Sequence, residues 1–265
     1  MPLAFCPLFS GSSGNAIYVS SGDVRLLVDA GVSGLRTKQA LLSIGVSPEQ
    51  LTAILVTHEH ADHTMGVGVL SRRYNLPVYA TGATWRAMLA RVGAIEPRNV
   101  REFQSGSDFF IGDMGVVPFS IPHDAADPVG FCFETRGLKA SVATDLGYIR
   151  EDWLSCVSGS DILLLESNHD VDMLRAGPYP YDLKHRILSR KGHLSNDDAG
   201  RAAVKLAARG VRHVMLGHLS AENNFPELAL ETVCAALRDE GIVPGEDIRV
   251  ELTWRDRVSS LYVVG

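Results

Sequence analysis

Four cysteines in 265 residues are too few and too scattered to staple a fold. Cys6, Cys132, Cys156 and Cys234 form no Cys-x-x-Cys pair, which fits reduced, mostly buried thiols better than a disulfide frame or a zinc knuckle. No apolar run approaches the ~18 residues of a membrane span. Residues 1–9 have neither the basic start nor the apolar length of a signal peptide, so a soluble, cytoplasmic protein with no membrane partner is expected. Excess positive charge is missing too. The formal net charge is −6, and a polyanion would have to find a local basic patch. No Pro/Gly/Ser-rich linker, shift in charge density, internal repeat or low-complexity tract divides the chain, so residues 1–265 read as one domain. Its 46% hydrophobic content is enough for a full core. None of these features indicates an oligomeric state.

What the chain has is His58-Glu59-His60-Ala61-Asp62-His63, three imidazoles and a carboxylate within six positions, directly after the apolar run Ala53-Ile54-Leu55-Val56. Neutral imidazole suits zinc, iron or manganese, and the carboxylate is a hard ligand that can hold a second ion beside the first. The plain alternative is a polar loop whose histidines are solvated or hydrogen-bonded in place. Residues 52–57 have the length and β-branched content of a buried strand, and 63–70 read as a short helix. The ligands therefore sit on a strand-to-helix turn, where irregular backbone can aim several side chains at one point.

Around this turn the chain alternates strands and helices. Strands are expected at 3–9, 15–20, 24–29, 108–111, 116–121, 129–135, 140–144, 162–165, 213–216, 248–252 and 260–264. Helices are expected at 35–44, closed by Gly45, and at 84–92, 181–189, 197–208 and 227–239. Two mixed sheets with helices outside each satisfy this order, an α/β four-layer αββα sandwich.

With Leu26-Leu27-Val28-Asp29-Ala30-Gly31 before it and spaced single His and Asp residues after it, the histidine string resembles the metallo-β-lactamase-fold superfamily along essentially the whole chain. The resemblance implies a hydrolase with two divalent ions per chain, zinc or manganese, with iron also compatible. It implies further ligands at His123 in Ser120-Ile121-Pro122-His123-Asp124, at Asp145 in Thr144-Asp145-Leu146-Gly147, and at His218 in Leu216-Gly217-His218-Leu219. His58, His60 and His123 would then surround one ion and Asp62, His63 and His218 the other. Asp145 and a nucleophilic hydroxide would bridge them, which places Asp62 and Asp145 among the catalytic groups. Taken alone, His123 and Asp145 also admit a lesser reading as an ordinary loop His and a turn Asp. Asp29 reads as a residue that orients the cluster, or as a plain turn residue after its strand.

The second half narrows the resemblance. Gly192-His193-Leu194-Ser195-Asn196 precedes a helix with Asp197 and Asp198 in its first turn, Ser195 or Asn196 being the cap. With His218-Leu219-Ser220-Ala221-Glu222-Asn223-Asn224 it resembles the paired histidine motifs of the phosphodiesterase and nuclease branch, which includes tRNA-processing ribonuclease Z. His193 is thereby implied as a catalytic residue, as general acid or phosphate contact. Ser10-Gly11-Ser12-Ser13-Gly14-Asn15 and Leu165-Glu166-Ser167-Asn168-His169-Asp170 extend the likeness to the bacterial YycJ (WalJ) family. That likeness implies a 5′-to-3′ exonuclease acting on nucleic acid, DNA in preference to RNA. Candidate substrate contacts are Asn15, Asn168, His169, Lys184, Arg186, Lys191, Ser220 and Asn223. The basic residues among them could equally complement a helix dipole. Three other readings stand beside this one. A thioester, lactam or small-phosphodiester hydrolase would share the ligands without needing His193. A di-iron redox centre is disfavoured because His60 stands where such sites carry a carboxylate. A non-catalytic nucleic-acid-binding scaffold is opposed by the filling of all seven ligand positions.

Overall fold

The computed structural model describes residues 1–265. The elements in chain order are β1 (Leu3–Phe9), β2 (Ala16–Ser21), β3 (Val24–Val28), α1 (Gly34–Ser43), β4 (Ala53–Leu55), α2 (Ala61–Thr64), α3 (Val67–Tyr74), β5 (Val78–Thr81), α4 (Gly82–Val92), β6 (Val100–Phe103), β7 (Phe109–Ile111), β8 (Met114–Ser120), β9 (Val129–Thr135), β10 (Leu138–Ala143), α5 (Glu151–Val157), β11 (Ile162–Glu166), α6 (Val171–Ala176), α7 (Tyr181–Ile187), α8 (Asn196–Ala207), β12 (His213–Gly217), α9 (Pro226–Asp239), β13 (Arg249–Leu252) and β14 (Tyr262–Val264). The class is α/β, with two mixed sheets flanked by helices. No helix is long and apolar enough to cross a membrane.

The chain forms two compact units. The first comprises residues 1–120, 125–138 and 254–265; the second comprises 121–124 and 139–253. In the first, one sheet runs β14-β1-β2-β3-β4-β5-β6. Its β14, β1, β2 and β3 pair antiparallel, and β3 to β6 pair parallel. Leu41 of α1, Leu70 of α3 and Met88 of α4 join Leu27, Ile54 and Val78 of the strands in one core. The same unit holds the antiparallel meander β7-β8-β9.

The second unit is built on the parallel strands β10, β11, β12 and β13. Every residue of β11 (ILLLE) and β12 (HVMLG) is buried, which is why both read as apolar runs without alternation. Helices α8 and α9 approach closely at Gly200, where a Cβ would stand 2.8 Å from Ala236 Cβ.

Two differences from the expected elements have local causes. The helix expected over 63–70 is split into α2 and α3, because Gly66 N donates to Ala30 O at 2.7 Å and holds the chain against the end of β3. Strands β5 and β6 and helices α5 and α6 were not expected. They are short, and β6 (VREF) exposes both of its charged side chains, so no apolar period marks it.

Candidate metal centre

In the first unit, the turn after β4 carries His58, His60, Asp62 and His63. Two buried residues hold it. Asp29 follows β3 with a φ of 59°, a conformation non-glycine residues rarely adopt. It accepts from Thr57 N at 2.9 Å through Oδ1, and from Thr57 Oγ1 and His63 Nδ1 at 2.8 Å each through Oδ2. Burial pushes the Asp29 carboxyl up from the ordinary aspartate value, and the His63 imidazole and the Thr57 donors only partly oppose it. Thr57 Oγ1 also accepts from His58 Nδ1 at 3.0 Å. With both Nδ1 atoms engaged, His58 and His63 are left with Nε2 as the ligating nitrogen. His58 Nε2 lies 3.1 Å from His60 Nδ1, and His63 Nε2 lies 3.6 Å from Asp62 Oδ2.

In the second unit, His123, Asp145, His193 and His218 meet at one carboxylate, Asp145 Oδ1. It is 3.8 Å from His123 Nε2, 3.5 Å from His218 Nε2 and 3.8 Å from His193 Nδ1. Asp145 and His218 have positive φ (59° and 56°), so three of the chain's five non-glycine residues in that region belong to these two clusters. Outer bonds orient the rings. His123 Nδ1 donates to Gly192 O at 3.2 Å. His193 Nδ1 and His218 Nδ1 both donate to Glu166 Oε1 at 2.8 Å. Glu166 Oε2 accepts from Leu146 N at 2.7 Å and Leu194 N at 3.1 Å. Burial would raise the Glu166 carboxyl, but His193 and His218 outweigh it and hold the group well below the usual carboxylate range. Burial keeps His123 below the ordinary histidine value, the Asp145 carboxylate only partly offsetting it, which favours the neutral ring whose lone pair a metal needs.

Both donor sets fit a divalent cation. Two donors about 2.1 Å from one tetrahedral ion stand about 3.4 Å apart, and the Nε2, Nδ1 and Oδ atoms above are separated by 3.1 to 3.8 Å. In the second unit, Asp145, Glu166, His193 and His218 each bring a donor atom within 4.8 Å of the others'. The Asp29–His63 and Glu166–His218 pairs have the carboxylate–histidine form that fixes tautomer and ring direction in metal sites.

The other sequence candidates are distributed unevenly. Asn15 is buried in the first unit and bonds the histidine turn: Nδ2 lies 3.0 Å from His63 Nε2, and its backbone N donates to Asp62 O at 2.8 Å. Asn168 is buried with Nδ2 donating to His218 O at 2.8 Å. His169, Ser220 and Asn223 are buried as well. Ser220 Oγ accepts from Asn223 N at 3.2 Å. Of the basic residues, Arg186 and Lys191 are exposed and Lys184 is half-buried. Lys184 Nζ donates to Arg175 O, and Arg186 pairs with Asp124 beside His123. Lys191 O accepts from Asp124 N at 3.2 Å. Ser195 caps α8, accepting from Asp198 N. Glu166, to which the sequence assigns no role of its own, is the residue around which the second cluster is organised. The available signal was an acidic residue ending an otherwise apolar, fully buried strand.

Residues 24–219 match the family model described as a β-lactamase superfamily domain, and the chain belongs to that family, as a hydrolase of the metallo-β-lactamase fold. The matched stretch draws on both units. Among individual proteins, the chain is similar to exodeoxyribonuclease YycJ of Bacillus anthracis, 41% identical over 253 residues that cover 96% of each chain. It is also similar to exodeoxyribonuclease WalJ of Streptococcus pneumoniae serotype 2, 40% identical over 256 residues, covering 96% of this chain and 95% of the relative. The solved structure of the metallo-β-lactamase fold protein YhfI from Bacillus subtilis covers 98% of this chain and 99% of its own, with a TM-score of 0.72 at 18% identity, a likeness of fold.

Proposed function

We propose that the chain is a dinuclear metal-dependent phosphodiesterase that degrades DNA as a 5′-to-3′ exonuclease, and that its two units work as one domain. The observation that carries this reading is the sharing of Glu166 Oε1 by two imidazoles. His218 is buried with Nε2 beside Asp145, as a ligand would be, while the His193 side chain is 20% exposed and can meet a substrate. A thioester or lactam has no need of such a second histidine, whereas a phosphodiester expels a poor alkoxide leaving group. Similarity to two proteins named exodeoxyribonucleases favours DNA over RNA.

In this reading, His58, His60 and His123 would hold one ion and Asp62, His63 and His218 the other, with Asp145 available to both. Bound ions would supply Lewis acidity toward the scissile phosphate and a nucleophile at neutral pH. The remaining steps belong to the chain. Asp29 and Glu166 fix ring directions, Asn15 and Asn168 bond the segments that carry His63 and His218, and His193 donates a proton to the departing oxygen. Lys184, Arg186 and Lys191 present positive charge to the phosphate backbone.

The test is incubation of metal-defined protein with end-labelled single- and double-stranded DNA and RNA, a lactam and a glutathione thioester, together with elemental analysis. Mononucleotide release from DNA 5′ ends and about two transition-metal ions per chain are expected. A stoichiometry that stays at one after supplementation overturns the dinuclear reading. Turnover of the lactam or thioester alone overturns the phosphodiesterase reading.

A further inference from the structure

A second cluster of charge in the first unit lies outside the histidine turn. Phe9 at the end of β1, Arg36 on α1, and Asp256, Arg257 and Val258 before β14 surround a depression of about 250 Å³. Arg36 lies over the Phe9 ring, its Cζ 4.8 Å from the centroid, and Arg257 lies over Trp254 at 3.8 Å. The stem of Arg255 packs on Gly11, where a Cβ would meet its Cγ at 2.8 Å. Elsewhere on the surface Arg150, Arg209 and Arg249 close on carboxylates, whereas Arg73 and Arg190 stack on Tyr74 and Tyr148. Arg36, Arg255 and Arg257 make no ion pair, and Asp256 is the one acidic side chain lining the depression. Three guanidinium groups against the one carboxylate of Asp256 leave a local positive excess in a chain of net charge −6, which favours a ligand of opposite sign.

The stacking narrows the ligand. A guanidinium laid on a ring keeps its edge donors and its outer face for a ligand, and it has less rotamer freedom to lose on binding. Edge donors suit the non-bridging oxygens of a phosphodiester, and the outer faces suit unpaired bases, which stack on guanidinium planes. The patch is also wired to the histidine turn. Ser10 N donates to Trp254 O at 3.0 Å, and Gly11 N donates to Asn15 Oδ1 at 3.0 Å. Asn15 in turn touches Asp62 O and His63 Nε2. The loop 10–15 thus ties the arginine patch to the histidine turn, with Ser12 and Ser13 as its exposed residues.

We propose that Arg36, Arg255 and Arg257, the first and last stacked on Phe9 and Trp254, form a subsite that grips single-stranded nucleic acid beyond the scissile bond. The subsite rests on the phosphodiesterase reading above and adds to it where the rest of the strand lies. Its test is an anisotropy titration of the full-length, metal-loaded protein with labelled phosphorothioate DNA, as a dinucleotide and as a long single strand, over a range of salt. Replacing both stacked residues (Arg36→Gln with Arg257→Gln) should weaken the long strand on the order of tenfold. It should also flatten the slope of log K against log salt by about 1.4, since each contact to a single strand contributes ~0.7. The loss should fall on the long strand and not on the dinucleotide. Arg257→Lys, which keeps charge but not the planar stack, should retain the slope and lose affinity. Both replaced side chains are exposed, so melting temperatures should match the wild type. Wild-type affinity and slope in the double variant, in a protein that degrades DNA, would overturn the subsite and leave the phosphodiesterase standing. A wild-type protein that neither binds nor cleaves any strand would overturn both.

Discussion

Glu166 is fully buried, and each of its oxygens serves two donors: Oε1 takes His193 and His218, and Oε2 takes Leu146 N and Leu194 N. An amide of the same shape cannot accept on both sides, because its NH₂ meets two donors whichever way it turns. Glu166→Gln should therefore lower stability by roughly 1–3 kcal/mol for each donor left facing another, read as a lower urea midpoint at unchanged m. A midpoint equal to wild type would mean that the network is loose. His193 shares that carboxylate but is read by activity. His193→Ala should cut DNA hydrolysis roughly 10²- to 10⁴-fold, spare an activated aryl phosphodiester relatively more, and leave metal content intact. Equal losses on both substrates would assign His193 to phosphate binding. Loss of an ion would exchange its role with that of His218. The histidine string can be read from spacing alone because its members are sequence neighbours. The role of Glu166 cannot, since its partners are 27 and 52 positions away.

At the level of elements, strands set the chemistry by where they stop. Asp29, Asp145 and His218 lie just past the ends of β3, β10 and β12, all with positive φ, and strain of this kind persists only where surroundings over-determine it. Gly31 shows how tightly the first of these turns is held. A Cβ there would stand 1.6 Å from Asp62 O and 2.7 Å from Asn15 N, both backbone atoms of the histidine turn's support. Gly31→Ala must push Asp62 and His63 away, so it should weaken metal retention in a chelator competition as well as lower the melting temperature. Gly45→Ala is the control: its φ of 76° carries strain but nothing lies within 4 Å, so only stability should fall, by about 1 kcal/mol. Equal metal retention in the two variants would refute the close-approach argument. The buried strands β1, β9, β11 and β12 were legible as apolar runs, and the cap of α8 as a Ser before a helical period. Strand β5 and edge strand β6 were not, because four residues against a neighbour need no pattern of their own.

Across the whole molecule, burial of ionisable side chains fixes the response to acid. His169 is almost completely buried, and burial pulls its pKa down to about 4 from the 6.5 of a free imidazole, the Glu166 carboxylate only partly opposing the shift. The folded chain thus keeps His169 neutral where the unfolded chain takes a proton. The resulting stabilisation is complete above pH 6.5 and is lost as pH falls toward 4. His169→Gln should flatten the dependence of unfolding free energy on pH between those limits, by up to ~1.4 kcal/mol per pH unit; an unchanged slope would show that other groups govern it. The division into two units was not legible, since no linker chemistry marks residues 120–125 and the boundary near 138 falls at the start of β10. Long-range packing made it, and composition is blind to that.

The double use of Glu166 Oε2 also gives two loop amides the surroundings of a sheet interior. Leu146 N and Leu194 N lie outside any helix or strand, yet both donate to one carboxylate that water does not reach. In deuterated buffer their hydrogens should persist with those of β11 and outlast the amides around them. When that carboxylate is removed by Glu166→Ala, both should begin to exchange together, although 48 residues separate them. The pair is thus an isotopic clock for the second unit's histidine cluster, readable without substrate, without metal and without turnover.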